Sequence, residues 1–362
     1  MSASAMNPPQ SKTVTIFGTA LAVLLAVAAC YFFPFGQYNP PPIGDPSTPT
    51  KAIAAQRRPT LKIGKPLPKE QRFDGQAAYE HLLAICKLGS RTSDSPGMTA
   101  QQEMLTQHFT QLGAKVSLQE LRAGRNPATG LPQPMANLIV QFHPEAQQRV
   151  LLCAHYDTRP LPDRDPDPWQ RQNGVFLGAN DGASGVALLM ELGRRLPTQT
   201  TLGIDFVFFD GEEYIYDERI DEYFYGSTYF AQQYRDHPPS YRYAFGVLVD
   251  MVADKKLGIA QEMHSSTWAA TRPIVQEIWG VAKQLRVREF IHKVGRPPVL
   301  DDHVPLNKIA EIPVIDIIDF EYPNARNGYW HTTADVPENC SAESLGKVGW
   351  VLQEWLRSKL RP

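Results

Sequence analysis

Five short apolar runs constrain this 362-residue chain more than any other feature: Leu138–Phe142, Val150–Ala154, Ile204–Phe209, Phe245–Val249 and Ile312–Ile318. They are too short for core helices and suit strands buried on both faces. Helical patterns separate or follow them at Gly185–Leu196, Gly226–Tyr234, Arg272–Gln284 and Ser341–Leu360. Two more precede them, Asp74–Leu88 behind an aspartate N-cap and Thr99–Leu112 closed by Gly113. Strands alternating with helices predict an α/β fold, a mostly parallel sheet sandwiched by helices.

What ends each run is chemically loaded. Val150–Ala154 leads into His155-Tyr156-Asp157, Ile204–Phe209 into Asp210-Gly211-Glu212-Glu213, and Phe245–Val249 into Asp250. Open α/β sheets bind ligands beyond the carboxyl ends of their strands, so these groups gather on one rim. Asp181, inside the loop Gly178-Ala179-Asn180-Asp181-Gly182-Ala183-Ser184-Gly185, and His331, inside Tyr329-Trp330-His331-Thr332, are the other candidates. Singly, each has an ordinary reading: Asp181 as a helix cap, Asp250 as a turn residue, the histidines as hydrogen-bonded structural groups. Asp210 to Glu222 holds seven acids in thirteen residues, the pattern of a solvated loop. Adjacent Glu212 and Glu213 after an apolar strand are different, because two carboxylates repel unless a cation or a proton intervenes. Carboxylates and imidazoles on one edge suit zinc, which accepts both donor types.

The remaining chain bounds location and partners. Lys and Arg number 36 against 38 Asp and Glu, for a net charge of −2. No basic excess is available to neutralise phosphates, which excludes nucleic acid as a partner. Hydrophobic residues are 43% and charged ones 20% of the chain, the composition of a folded protein. Four cysteines (Cys30, Cys86, Cys153, Cys340) show no paired metal-binding spacing. Residues 14–33 carry no charge, long enough as a helix to cross a membrane, and Lys12 before them favours a cytoplasmic start, residues 1–13. The competing reading is a lipoprotein acylated at Cys30 in Val27-Ala28-Ala29-Cys30. Both tether the body outside the cytoplasm, periplasmic or at the cell surface. Pro34 to Pro68 holds 9 of the 31 prolines, so 34–70 is expected to be a stalk and 71–362 the catalytic body.

The set His155-Tyr156-Asp157, Asp181 in its glycine-rich loop, Glu212-Glu213, Asp250-Met251 and His331-Thr332 resembles the zinc exopeptidases typified by bacterial leucyl aminopeptidases. Within them the chain is most similar to the glutaminyl cyclases (glutaminyl-peptide cyclotransferases), particularly their bacterial branch. The runs that carry this are His155-Tyr-Asp-Thr-Arg-Pro160, Phe208-Phe209-Asp210-Gly-Glu-Glu213, Tyr225-Gly226-Ser227, Asp301-Asp302-His303, Pro313 to Asp319 and Trp330-His331-Thr332. The resemblance implies a mixed, mostly parallel central sheet over about 74–360 and peptide or protein N-termini as substrate. It assigns the catalytic zinc to Asp181, Glu213 and His331, proton transfer to Glu212, acids beside that glutamate to Asp250 and Asp301, and the glutamine pocket to Trp330. Aminopeptidases of this type would add a second zinc on His155 and Asp250 with Asp181 as bridge, Asp157 orienting His155. One zinc is expected and two are possible. Asp301 and Trp330 favour the cyclase, with a zinc aminopeptidase as the alternative. A metal-free binding ectodomain is the third class, disfavoured by the complete ligand set. Glu218 stands where the animal cyclases carry tryptophan, and Asp316 where they carry histidine.

Overall fold

The computed structural model describes residues 61–360 apart from 62, 198 and 199. The expected membrane span 14–33, Cys30 and most of the stalk lie outside them. Among the described residues no helix is long and apolar enough to cross a membrane. Three residues expected in the stalk lie on the body: Leu61 and Ile63 pack against its core, and the Leu67 N–H donates to Glu354 Oε1 at 2.7 Å.

Among the described residues the main sheet has six strands in the order β1-β2-β4-β3-β5-β8. They are β1 (Lys115–Ala123), β2 (Gln133–Phe142), β3 (Gln148–His155), β4 (Gly203–Phe209), β5 (Arg242–Asp250) and β8 (Val314–Ile318). β4, β3, β5 and β8 run parallel, whereas β2 is antiparallel to both β1 and β4. The sheet is therefore mixed. β6 (Ile259–Gln261) and β7 (Phe290–Val294) form a separate two-stranded ribbon. All five apolar runs are strands. Unforeseen are β1, β6 and β7, none of which has an apolar run.

Helices cover both faces. α1 (Gly75–Cys86) starts at the Asp74 cap, whose side chain accepts from the Gln76 and Ala77 N–H groups. α2 (Pro96–Gln111) ends at Gly113, φ +82°. α3 (Gln170–Asn173), α4 (Ala183–Arg194), α5 (Tyr225–Asp236), α6 (Met263–Thr267), α7 (Arg272–Leu285), α8 (His303–Lys308) and α9 (Ala342–Lys359) complete the order. Alternate residues along β3 enter different cores: Leu152 and Ala154 pack with α1, α4 and α9, while Leu151 and Cys153 pack with Phe230 of α5 and Leu306 of α8. Cys86, Cys153 and Cys340 are buried and unpaired.

Charge is also buried at the amino end of the sheet, where every group has a partner. Arg149 of β3 donates through Nε to Asp205 Oδ1 of β4 at 2.9 Å and through Nη1 to the His143 carbonyl at 2.7 Å. The Tyr243 hydroxyl donates to Asp205 Oδ2 at 2.6 Å.

Candidate metal centre

The parallel register sets the ends of the central strands level: His155 of β3 lies opposite Phe209 of β4, and Asp250 closes β5 opposite Ile318 of β8. Beyond β4 the chain turns at Gly211, φ +69°, where a Cβ would sit 2.5 Å from Met135 Sδ. That turn delivers Glu212 and Glu213, whose amides donate to Asp157 Oδ1 at 3.2 Å and Oδ2 at 3.1 Å. Asp157 therefore uses both oxygens to fix the paired glutamates. Its expected role of orienting His155 is not what the geometry shows: Oδ1 is 3.6 Å from His155 Nδ1, too far for a hydrogen bond, and that nitrogen has no partner. Gly182, φ +92°, brings the Asp181 loop against β3, since a Cβ there would approach the Asp157 carbonyl oxygen to 2.8 Å.

The rim residues come together as the sequence predicted. Three overlapping groups have ligand atoms within 4.8 Å of one another: Asp181, Glu213 and His331; His155, Asp181 and Asp250; and His155, Glu212 and Glu213. His331 Nε2 lies 2.5 Å from Glu213 Oε1 and 3.5 Å from Asp181 Oδ2. His155 Nε2 lies 3.2 Å from Asp181 Oδ1 and 3.2 Å from Asp250 Oδ1. Asp181 Oδ2, Glu213 Oε2 and both His331 nitrogens are buried without a hydrogen-bond partner. Buried polar atoms are normally satisfied, and two carboxylates and an imidazole converging with unpartnered atoms fit a divalent cation such as zinc. His331 holds a left-handed backbone, φ +55°, strain of the kind found at functional positions.

Electrostatics agree with that fit. Burial, then the neighbouring Glu213 carboxylate, pushes Asp181 up to about 8. Burial likewise raises Glu213, to about 7, although the Arg159 guanidinium pulls the other way. His331 is held well below its usual value by burial and by Arg159, which leaves the imidazole neutral and able to donate a lone pair. Burial disfavours charge on His155 too, but the surrounding carboxylates of Asp157, Asp181 and Asp250 prevail and raise it. Glu212 is raised well above the carboxylate range by burial and then by Glu213. Its side chain is 12% exposed against 4% for Glu213, so the first glutamate faces the opening and the second the interior.

Asp301 is buried just before α8, with Oδ1 accepting from the Asp302 amide at 2.6 Å and Oδ2 unpartnered. Burial and the Asp250 carboxylate raise its pKa. Asp316 is buried with both oxygens unpartnered. Trp330 is half-buried, its ring 4.0 Å from that of His331, with the Arg164 guanidinium 4.0 Å over its face.

Two residues without an assigned role also stand at the site. Arg159, four residues after His155, is buried and grips Asp163 through Nε at 2.9 Å and Nη2 at 2.8 Å. It reaches Glu218 at 3.1 Å and approaches Glu213 Oε1 to 3.9 Å. Glu218 therefore serves as an ion partner where the animal cyclases carry an aromatic ring. Asp335 accepts from the amides of Asn180 and Asp181. Its one signal in the sequence is its position four residues after His331.

Comparison with known proteins is consistent with this architecture. A family profile described as Peptidase family M28 matches residues 137–356. The glutaminyl-peptide cyclotransferase of Gloydius blomhoffii is 25% identical over 290 residues, 73% of this chain and 76% of that protein. The glutaminyl cyclase of Fimbriiglobus ruber is 37% identical, with a TM-score of 0.73 over 83% of this chain and 99% of that one. A Zn-dependent exopeptidase from Parabacteroides distasonis is 34% identical, with a TM-score of 0.70 over 78% of this chain and 97% of its own.

Proposed function

Because the chain belongs to peptidase family M28, we propose that it is a zinc-dependent glutaminyl-peptide cyclotransferase, converting N-terminal glutamine of peptides and proteins to pyroglutamate with release of ammonia. The observation that carries this reading is the deep donor set Asp181, Glu213 and His331 beside the more open Glu212, in a chain whose relatives include glutaminyl cyclases.

Asp181, Glu213 and His331 would hold one zinc ion. When bound, zinc supplies Lewis acidity that polarises the γ-carbonyl of the glutamine. The α-amine nitrogen forms a bond to the γ-carbon, and the bond from that carbon to the amide nitrogen breaks. Glu212 takes the proton the amine loses and gives it to the departing nitrogen, so ammonia leaves and no water is consumed. The burial and neighbouring acids that raise Glu212 make it a stronger base than an exposed carboxylate. Asp301 supplies part of that negative field, Asp250 stands beside Asp301 and His155, and Trp330 is a wall for the glutamine side chain beside His331.

One observation favours a second reading. His155 and Asp250 stand beside Asp181 as a complete second donor set, the arrangement a two-zinc aminopeptidase would use. Glu212 would then take a proton from an attacking water. The proposal extends to location: the uncharged segment 14–33 and the prolines after it support a membrane-anchored body outside the cytoplasm, with acylated Cys30 as the alternative tether.

The test is to weigh the products of one Gln-initiated and one Leu-initiated peptide. Loss of one ammonia from the first supports cyclisation, shortening of either supports the peptidase, and no change with zinc-loaded protein rejects both. A chain starting at residue 61 is expected to be soluble and to keep the activity.

A further inference from the structure

Asp181 and His331 are 150 residues apart in the chain and must stand a few ångströms apart in space. Asp181 is on a loop entering α4, ahead of a glycine in the left-handed region, and the first turn of α4 has no side-chain cap. His331 lies in an irregular segment with a left-handed backbone of its own. Neither is held by a sheet ladder.

One side chain spans both segments. Asp335 is fully buried; its Oδ1 accepts from the Asn180 amide at 2.8 Å and from the Tyr322 hydroxyl at 2.9 Å, and its Oδ2 from the Asp181 amide at 3.0 Å. Its backbone carbonyl accepts from the Ala179 amide at 3.4 Å, and its own amide donates to the Thr332 carbonyl at 3.1 Å, next to His331. Asn180 extends the link, its Oδ1 accepting from the Ala253 amide at 2.8 Å, three residues beyond Asp250. A single carboxylate thus takes three hydrogen bonds in a dry environment, where such bonds are strong and a lost partner is costly. Only a carboxylate suits the place. An asparagine offers one acceptor oxygen, and its NH2 group would face an amide N–H.

We infer that Asp335 is a positioning residue that sets the spacing of Asp181 and His331, and through them the affinity for the metal, without touching the ion. The inference rests on the reading of Asp181, Glu213 and His331 as ligands. It differs from a purely structural role in one measurable way. A buried acid that only supports the fold changes stability and leaves the metal affinity of the folded protein alone, whereas a positioning acid changes that affinity.

The experiment measures the zinc dissociation constant of the full chain by competition with a chromophoric chelator, and the melting temperature of the same samples without metal. Asp335→Asn is expected to weaken zinc by about 10- to 100-fold, the usual effect of losing a group that orients a ligand. Asp205→Asn is the control, a buried acid of the same chain that also accepts several hydrogen bonds, at the opposite end of the sheet. It should melt earlier and bind zinc as the wild type does. Tyr322→Phe removes one of the three donors and leaves both amides, so its zinc affinity should fall less than that of Asp335→Asn. Wild-type affinity in Asp335→Asn overturns the inference, as does equal weakening in Asp205→Asn. If Asp335→Asn does not fold, Tyr322→Phe decides: weaker zinc with an unchanged circular dichroism spectrum supports it, and unchanged affinity overturns it. A wild-type chain that binds no zinc would instead reject the ligand assignment on which the inference stands.

Discussion

The two ends of the central sheet both bury charge, and they do so in opposite ways. At the amino end Arg149 and Asp205 are matched to each other, to Tyr243 and to backbone carbonyls. At the carboxyl end Asp181, Glu213, Asp301, Asp316 and His331 are equally buried yet keep polar atoms with no partner. Burial of a charge is therefore not what marks a site in this molecule. The mark is an excess of one sign that the protein leaves uncompensated, which is costly unless a ligand completes it.

This contrast predicts that substitutions at the two ends act on different quantities. The largest effect belongs to Glu212→Gln, which removes the base and keeps the shape: turnover should fall by roughly 10²- to 10⁴-fold with zinc still bound. If zinc is lost instead, the roles of the paired glutamates are exchanged. Next is Arg149→Leu at the amino end, which strands Asp205 and should cost about 3–5 kcal/mol in urea unfolding. The surviving folded fraction should bind zinc normally, and a change in its zinc affinity would mean that the two ends are coupled.

A smaller and opposite effect is expected from Glu213→Gln. It removes a buried carboxylate whose Oε2 has no partner, so the metal-free protein should melt no earlier than the wild type. It should, however, miss the stabilisation that zinc gives the wild type, about 2.7 kcal/mol at a zinc concentration one hundred times the dissociation constant. Early melting of metal-free Glu213→Gln would show that its carboxylate is matched after all.

The smallest effect tests whether the rule is about matching and not about position. Glu262, near the carboxyl end, is buried, which raises its pKa, but His303 and the amides of Ser265 and His264 prevail and hold it at about 2. Its folded value lies below its ordinary 4.5, so its contribution to stability is complete above pH 4.5 and is lost as pH falls toward about 2. Unfolding midpoints of Glu262→Gln should be lower than those of the wild type at neutral pH and should change less across that interval. Parallel curves would show that Glu262 is not matched in the way Asp205 is.

Much of this protein was legible in the sequence because its signals are local. Buried strands declare themselves as apolar runs, and polar residues just beyond them, His155, Glu212, Glu213 and Asp250, fall on the rim because the strands are parallel. β1 gave no such signal, since it is an edge strand with Leu118 and several polar residues exposed, extended by its pairing with β2. α8 was missed for a related reason, being six residues long with no side-chain cap, the Asp302 carboxylate being taken up instead by the Ser227 hydroxyl.

The sequence by itself determined which residue types stand at the strand ends and therefore which chemistry is available there. The tertiary structure alone decided what those side chains touch. Asp157 lies two residues from His155 but spends its oxygens on amides 55 and 56 residues away. Asp335 holds amides 155 and 154 residues distant. Periodicity and turn chemistry act over a few residues, whereas the partner of a buried carboxylate is chosen by which loops the packed sheet brings together.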